Sequence, residues 1–241
     1  MKTQDGKKAI ESLRSAVEAS SVYGRYLDEV RGLAQGANVS LDDAFLMQCG
    51  DELENLMRIH VPHCSDVANP EIGGGGLMAH NEDAGVSSFD WRTGAPLTYL
   101  VNARETTPAN EMRVDGNDSA TGFTALCYPG QLPTGAFGFN TRGLFLSLNG
   151  LFPEFVNVTG IPRHFVHRHL LTAPTVDDLI RRLKDVDVAC GFSINVASVS
   201  EPGRIVNMEV ATGRAWSVME LRRGEKAVVT TNEGGARAAT G

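Results

Sequence analysis

An α+β fold is the class this sequence predicts, and three observations predict it. Apolar residues recur at helical spacing from Lys7 to about Leu56, short aromatic and β-branched runs follow, and helical spacing returns from Ile161 to Lys184. Strand-like runs then resume through Thr231, with no internal repeat and no linker-like stretch between them. The order helices, strands, helices, strands predicts one domain over residues 1–232, ending in a small-residue tail at 233–241.

The first helical stretch carries Ile10, Leu13 and Val17, then Tyr26, Val30 and Leu33, with a break expected near Ser20–Gly24. Ser40 with Asp43 three residues on is a capping pair, so a third helix is expected through about Leu56. Cys64 then heads a strand, four glycines at Gly73–Gly76 supply a turn, and a second strand ends in Asn81-Glu82-Asp83. The runs LTYLVNA, FTALCY, AFGFN and LFLSLN are further strands, the last two forming a hairpin that turns at Asn140–Gly143. Pro162 and Thr175 open two helices. A meander with turns at Glu201–Gly203 and Thr212-Gly213 follows, then a strand from Ala227 to Thr231.

Composition narrows the function. A net charge of −7 and the lack of any long Lys/Arg block argue against nucleic acid as a partner and favour a small organic molecule. No apolar leader precedes Lys7 and no run approaches the roughly 18 apolar residues a membrane span needs, so a cytoplasmic protein without a membrane partner is expected. Cys49, Cys64, Cys127 and Cys190 are too few and too dispersed for a disulfide framework and read as reduced thiols.

Cys64 is the sharpest chemical candidate, since a thiol becomes a strong nucleophile once its pKa falls below the ordinary value of about 8.5. A cysteine in a mixed segment is more often a small buried hydrophobe; Ser65, Asp66 and the polar run after the glycine turn favour chemistry here. The glycine run lacks the Lys-Ser/Thr of a phosphate loop and reads as a turn. Asn81, Glu82 and Asp83 alternate faces, so either Asn81 or Asp83 is expected to point where Cys64 points. The bland reading is a solvated strand end. His60 and His63 beside Cys64, and His164, His167 and His169, match no common zinc spacing, so neither a metal nor any other cofactor is expected. Asn195 sits in the apolar strand GFSINVAS, where a buried amide needs a partner and an oxyanion is one candidate. Asn81, Asn140 and Asn149 are candidate substrate-binding residues.

HCSDVA, GGGGLMAHNED, GAFGFNTRGLFLSLNGL, GIPRHFVHRHLL and GFSINVAS, in this order, resemble the isopenicillin N acyltransferase family of self-cleaving cysteine peptidases and acyltransferases within the N-terminal nucleophile hydrolases. HCSD and AHNED look like the branch of β-alanyl-amine hydrolases. The resemblance implies a four-layer αββα sandwich, incomplete at both ends because the family's pattern begins earlier and continues past Asn232. It implies a cut between His63 and Cys64 that separates residues 1–63 from 64–232, with the freed α-amine of Cys64 as general base. It implies Asp83 as the acid holding that amine and Asn195 as the oxyanion donor. The function so implied is hydrolysis or transfer of an acyl group from a small amide through a thioester on Cys64, with self-association of the cleaved chains or a dimer. The alternative is a truncated, inactive member that acts as a binding domain.

Overall fold

A computed structural model of the protein describes residues 4–59, 64–83, 89–105, 121–134, 136–151, 153–225, 228–231 and 237–238. Four helices open the chain: α1 (Gln4–Ala19), α2 (Tyr26–Ala37), α3 (Leu41–Met47) and α4 (Gly50–Leu56). The break between α1 and α2 lies where the spacing predicts it, with the Ser20 hydroxyl accepting from the Tyr23 amide. Gly24 follows because a Cβ there would stand 2.8 Å from the Ser20 carbonyl. Ser40 caps α3 by accepting from the Asp43 amide at 3.0 Å.

The single third helix expected through Leu56 is two short ones. Gln48 ends α3: its side-chain amide donates to the Ala44 and Gly130 carbonyls and its carbonyl accepts from the Leu132 amide. These tie the residue to a distant loop, and Cys49 departs from helical geometry (φ −112°, ψ 20°) before α4 restarts at Gly50. A long-range anchor of this kind leaves no trace in local periodicity.

The strands form two antiparallel sheets. β1 (Ser65–Asn69) and β2 (Leu77–Asn81) pair with each other, and β10 (Val228–Thr231) and β11 (Arg237–Ala238) extend that sheet in the order β11-β10-β1-β2. The turn between β1 and β2 uses positive φ at Gly73, Gly74 and Gly76, which L-residues with a Cβ adopt only at a cost. The larger sheet runs β3 (Tyr99–Arg104), β4 (Gly122–Cys127), β5 (Phe137–Asn140), β6 (Leu144–Gly150), β7 (Phe192–Ser198), β8 (Ile205–Ala211) and β9 (Ala215–Leu221), in chain order. Between β6 and β7 lie α5 (Arg163–Leu170) and α6 (Val176–Asp185), the latter capped by the Thr175 hydroxyl.

The two faces of the seven-stranded sheet differ in chemistry. Leu144, Leu146 and Leu148 of β6, Phe192, Ile194 and Val196 of β7, and Val206 and Met208 of β8 are buried in one cluster with Tyr26, Phe45, Phe165, Leu170 and Leu179 from the helices. Alternation sends Ser147, Asn149, Ser193, Asn195 and Asn207 to the other face, and all five are buried. There β1 packs on β6, while Ala68, Ile205 and Leu221 form a small apolar cluster between the sheets. Helices, large sheet and small sheet are thus three stacked layers of an α+β fold. The outer face of the small sheet leaves Val67 and Leu77 exposed and carries no helix among the described residues. Among those residues, no helix is long and apolar enough to cross a membrane.

Candidate active site

The site is built on the β1–β2 hairpin where it meets the polar face of the large sheet. The register pairs Ser65 with Asn81 and Asp66 with His80, so Cys64, one residue before β1, falls opposite Glu82. Cys64 is buried (7% exposed), and its thiol donates to Glu82 Oε2 at 2.8 Å. His80 Nε2 lies 2.8 Å from the same oxygen, and its Nδ1 lies 2.7 Å from Asp66 Oδ1. The hydroxyl of Tyr128, just past β4, donates to the other oxygen of Glu82.

Asp66 is the anchor of this chain of contacts. Its second oxygen accepts from Asn149 Nδ2 at 2.5 Å and from Asn195 Nδ2 at 2.8 Å. Asn207 Nδ2 in turn donates to Asn195 Oδ1 at 3.0 Å and to Ser193 Oγ at 2.9 Å. Three neighbouring strands therefore fix one carboxylate, which fixes one imidazole, which meets the carboxylate facing the thiol. Buried polar groups persist only when satisfied in this way.

The electrostatics follow from these contacts. Burial favours neutral imidazole, but hydrogen bonds with Asp66, Cys64 and Glu82 overcome it and raise the His80 pKa to about 11, so the ring is imidazolium at neutral pH. Burial works to raise Glu82, yet the hydrogen bonds from His80, Cys64 and Tyr128 hold it below the usual carboxylate value. Burial pushes the Cys64 thiol up, the His80 contact draws it down, and the Glu82 charge pushes it up again, leaving a net rise. The resting group is a thiol with its proton already directed at a carboxylate oxygen.

Beside the imidazole lies a cavity of about 290 Å³ between β2 and the β5–β6 hairpin. Met78, His80, Phe137, Phe139, Phe145 and Ser147 line it. The hydroxyl of Ser147 is buried there without a hydrogen-bond partner among the described residues. A small molecule with an apolar body and one polar atom is what this lining fits.

The sequence-selected residues divide sharply. Cys64, Asn149 and Asn195 are brought into one network. Asn81 and Asp83 are not: they are exposed, and bond to each other (Asn81 Nδ2 to Asp83 Oδ1, 2.7 Å) on the opposite side of the strand from His80 and Glu82. The expected acid beside Cys64 is thus Glu82 in this structure, because the hairpin register sets the parity. Asn140 is a buried turn clamp: its Nδ2 donates to the Leu171 and Ala173 carbonyls, and its Oδ1 accepts from the Arg142 and Leu144 amides. That occupies its side chain with backbone rather than substrate. His63 lies outside the described residues. Sequence reasoning missed His80, Tyr128 and Asn207 and passed over Glu82; counting alternate residues from Cys64 with the correct turn length would have found His80 and Glu82.

A sequence model of the acyl-coenzyme A:6-aminopenicillanic acid acyl-transferase family matches residues 71–234. The chain belongs to this family. A curated relative, the beta-alanyl-dopamine/carcinine hydrolase of Drosophila melanogaster, is 30% identical over 199 residues, which is 78% of this chain and 49% of that protein. The chain therefore spans about half the length of this curated relative. Among solved structures, two variants of conjugated bile acid hydrolase from Clostridium perfringens are similar, with TM-scores of 0.46 and 0.41 at 16% and 13% identity. Each similarity covers 71% of this chain and 54% of the other.

Proposed function

We propose that this chain is a self-activating cysteine amidohydrolase or acyltransferase that takes an acyl group from a small amide onto Cys64. The observation that carries the reading is the buried thiol donating at 2.8 Å to a carboxylate which His80 and Tyr128 hold in place. Family membership and a relative named as a beta-alanyl-dopamine/carcinine hydrolase support the same class of reaction.

In the uncut chain, Glu82 Oε2 takes the thiol proton as Cys64 Sγ attacks the carbonyl carbon of His63. The C–N bond then breaks as Glu82 passes that proton to the nitrogen of Cys64, which leaves as an amine, and a thioester links His63 to the sulfur. Water hydrolyses that thioester, releasing the His63 carboxylate and restoring the thiol. The cut divides the chain into residues 1–63 and 64–241 and exposes an α-amine whose ordinary pKa near 8 suits it to act as base in later turnovers. A substrate amide follows the same course: its amine departs, its acyl group rests on Cys64, and water or a second amine collects it.

The remaining groups hold this geometry. His80 is an imidazolium that stabilises negative charge at Glu82 and at the developing thiolate. Asn195 is the amide donor for the oxyanion; it shares Asp66 with Asn149, so the second amide keeps the carboxylate fixed when the first turns to the intermediate. The phenylalanine-lined cavity receives the apolar part of the substrate and Ser147 its polar atom.

Intact-mass measurement of the purified chain tests this reading. Fragments ending at His63 and beginning at Cys64, absent from Cys64→Ala, are the expected result, together with amine release from small N-acyl amides in the wild type alone. No fragments, no turnover, and a Cys64 that iodoacetamide labels no faster than Cys49, Cys127 and Cys190 would replace it with a non-catalytic binding domain.

A further inference from the structure

The thiol and the two side chains beside it have the composition and spacing of a metal centre. One ligand atom each from Cys64, His80 and Glu82 lies within 4.8 Å of the others. Two of the separations, Sγ to Oε2 and Nε2 to Oε2, are 2.8 Å. A tetrahedral Zn²⁺ with bonds of about 2.0–2.3 Å places such ligands about 3.3–3.6 Å apart. An outward shift of under about 1 Å for those two pairs therefore makes room for the ion.

We propose that Cys64, His80 and Glu82 form a binding site for a Zn²⁺-class cation that masks the thiol. The donor set selects the metal: a thiolate and an imidazole favour Zn²⁺ and its neighbours over Mg²⁺ and Ca²⁺, which prefer oxygen alone. The surroundings are those of a metal-binding histidine, since the ring nitrogen facing away from the site is held by a carboxylate, Asp66 Oδ1, at 2.7 Å. Asn149 and Asn195 fix that carboxylate in turn, so the imidazole is aimed before any ion arrives. Entry is on the Glu82 side, whose side chain is 18% exposed while those of His80 and Asp66 are 6% and 3% exposed.

On binding, Cys64 Sγ and His80 Nε2 each release a proton to solvent as their bonds to the metal form, and Glu82 exchanges two hydrogen bonds for one metal bond. Three protein ligands leave a fourth position for water. The sulfur lone pair that would attack a carbonyl is then committed to the metal, so occupancy silences self-cleavage and acyl transfer alike. The site uses the thiol that the proposed function uses, but metal binding does not depend on that thiol being a nucleophile.

Titration of the chelator-treated full chain with Co²⁺ tests the proposal without any substrate. One equivalent is expected to give the near-ultraviolet thiolate-to-cobalt band and the visible bands of a tetrahedral site, and Zn²⁺ to displace both. Cys64→Ser, which retains the other three cysteines, should abolish the thiolate band. Asp66→Asn should weaken binding about 10–100-fold through the freed imidazole, and His80→Gln by at least as much, with circular dichroism confirming that each variant is folded. Absence of the band in folded wild type, an unchanged band in Cys64→Ser, or unchanged affinity in folded His80→Gln overturns the site. Activity is read separately: metal binding in a protein that never cleaves amides leaves this site standing and removes the proposed function. A chelated protein that turns over and ignores Co²⁺ and Zn²⁺ does the reverse.

Discussion

Two buried polar clusters lie on opposite faces of the large sheet, and they are built on different plans. Between the sheets, Asp66, His80 and Glu82 form a line that ends at a thiol, and Glu82 keeps partial contact with solvent. On the helical side, Arg163 at the start of α5 bonds to Asp51 (Nε to Oδ2, 2.7 Å) and to the Gly191 carbonyl, while its amide donates to Glu52 Oε1 at 2.8 Å. His164 and His167 stand beside it, and burial lowers both, keeping them neutral. Burial also raises Cys49 and lifts Cys190 to about 12. A hydrogen-bonded imidazolium counters burial at Cys64; at Cys190 the nearby guanidinium does not prevent a large rise. Buried charge alone therefore does not mark a reactive centre. What sets the first cluster apart is a line of contacts that brings a carboxylate to a thiol beside a cavity, the arrangement on which the proposed function rests.

The contrast breaks first at Arg163. Arg163→Ala should remove about 3–5 kcal/mol of stability, because it strips Asp51 of its buried cation and opens the α4–α5 junction. Chemical denaturation should show a lowered midpoint, and any loss of activity should track the unfolded fraction. A stable Arg163→Ala protein with no activity would instead place the helical cluster in the chemistry.

Glu82→Gln should do the opposite. The amide keeps an oxygen for the thiol or for Tyr128 but accepts no proton, so the rate of self-cleavage and of amide turnover should fall roughly a hundredfold or more while the fold persists. Thermal melts beside single-turnover rates separate the two effects. A large drop in melting temperature with little change in the rate of the folded fraction would make Glu82 a structural group like Arg163.

Much of the fold was legible because it rests on local rules. The Ser40 and Thr175 caps, the break before Tyr26, and the hairpin at Asn140–Gly143 each declare themselves within a few residues. Gln48 ending α3 and Asn140 clamping the α5–α6 connection were not legible, since their partners lie 82 to 84 and 31 to 33 residues away. The site was legible in its segments and off by one in its parity. The structure brings Cys64 and Asn195 into one chain of contacts, but the β1–β2 register depends on how many glycines the turn consumes, and a single residue decides which of Glu82 and Asp83 meets the thiol.

Acidity distinguishes the clusters more gently. Burial raises Glu52 from its ordinary value to about 7, with Asp51 adding to the rise and Arg163 opposing it. A carboxyl whose folded pKa is raised contributes stability that is complete below about 4.5 and is lost as pH climbs through about 7. Wild type should therefore lose stability between pH 5 and pH 8, by at most roughly 3 kcal/mol. Glu52→Gln, which keeps an acceptor for the Arg163 amide, should lose less over the same interval. Denaturation midpoints of both proteins across that range check the sign; a parallel decline would mean that Glu52 is not the group responsible.

Asp83→Asn is the smallest change and the sharpest test of the parity. Asp83 is exposed and its oxygen accepts from Asn81, a bond an asparagine can keep, so stability should move by less than about 0.5 kcal/mol. If the thiol's proton goes to Glu82, first-turnover self-cleavage in Asp83→Asn should stay within about threefold of wild type, since no hydrogen bond of the Cys64 network is touched. The amine released by the cut is a new cation, and the family resemblance assigns it to Asp83. Slowed turnover in cleaved Asp83→Asn with an unchanged rate of cleavage would then mean that the strand end turns over after processing and that the two carboxylates serve in succession. Loss of cleavage itself would move the proton acceptor from Glu82 to Asp83 and shift the register of the β1–β2 hairpin by one residue.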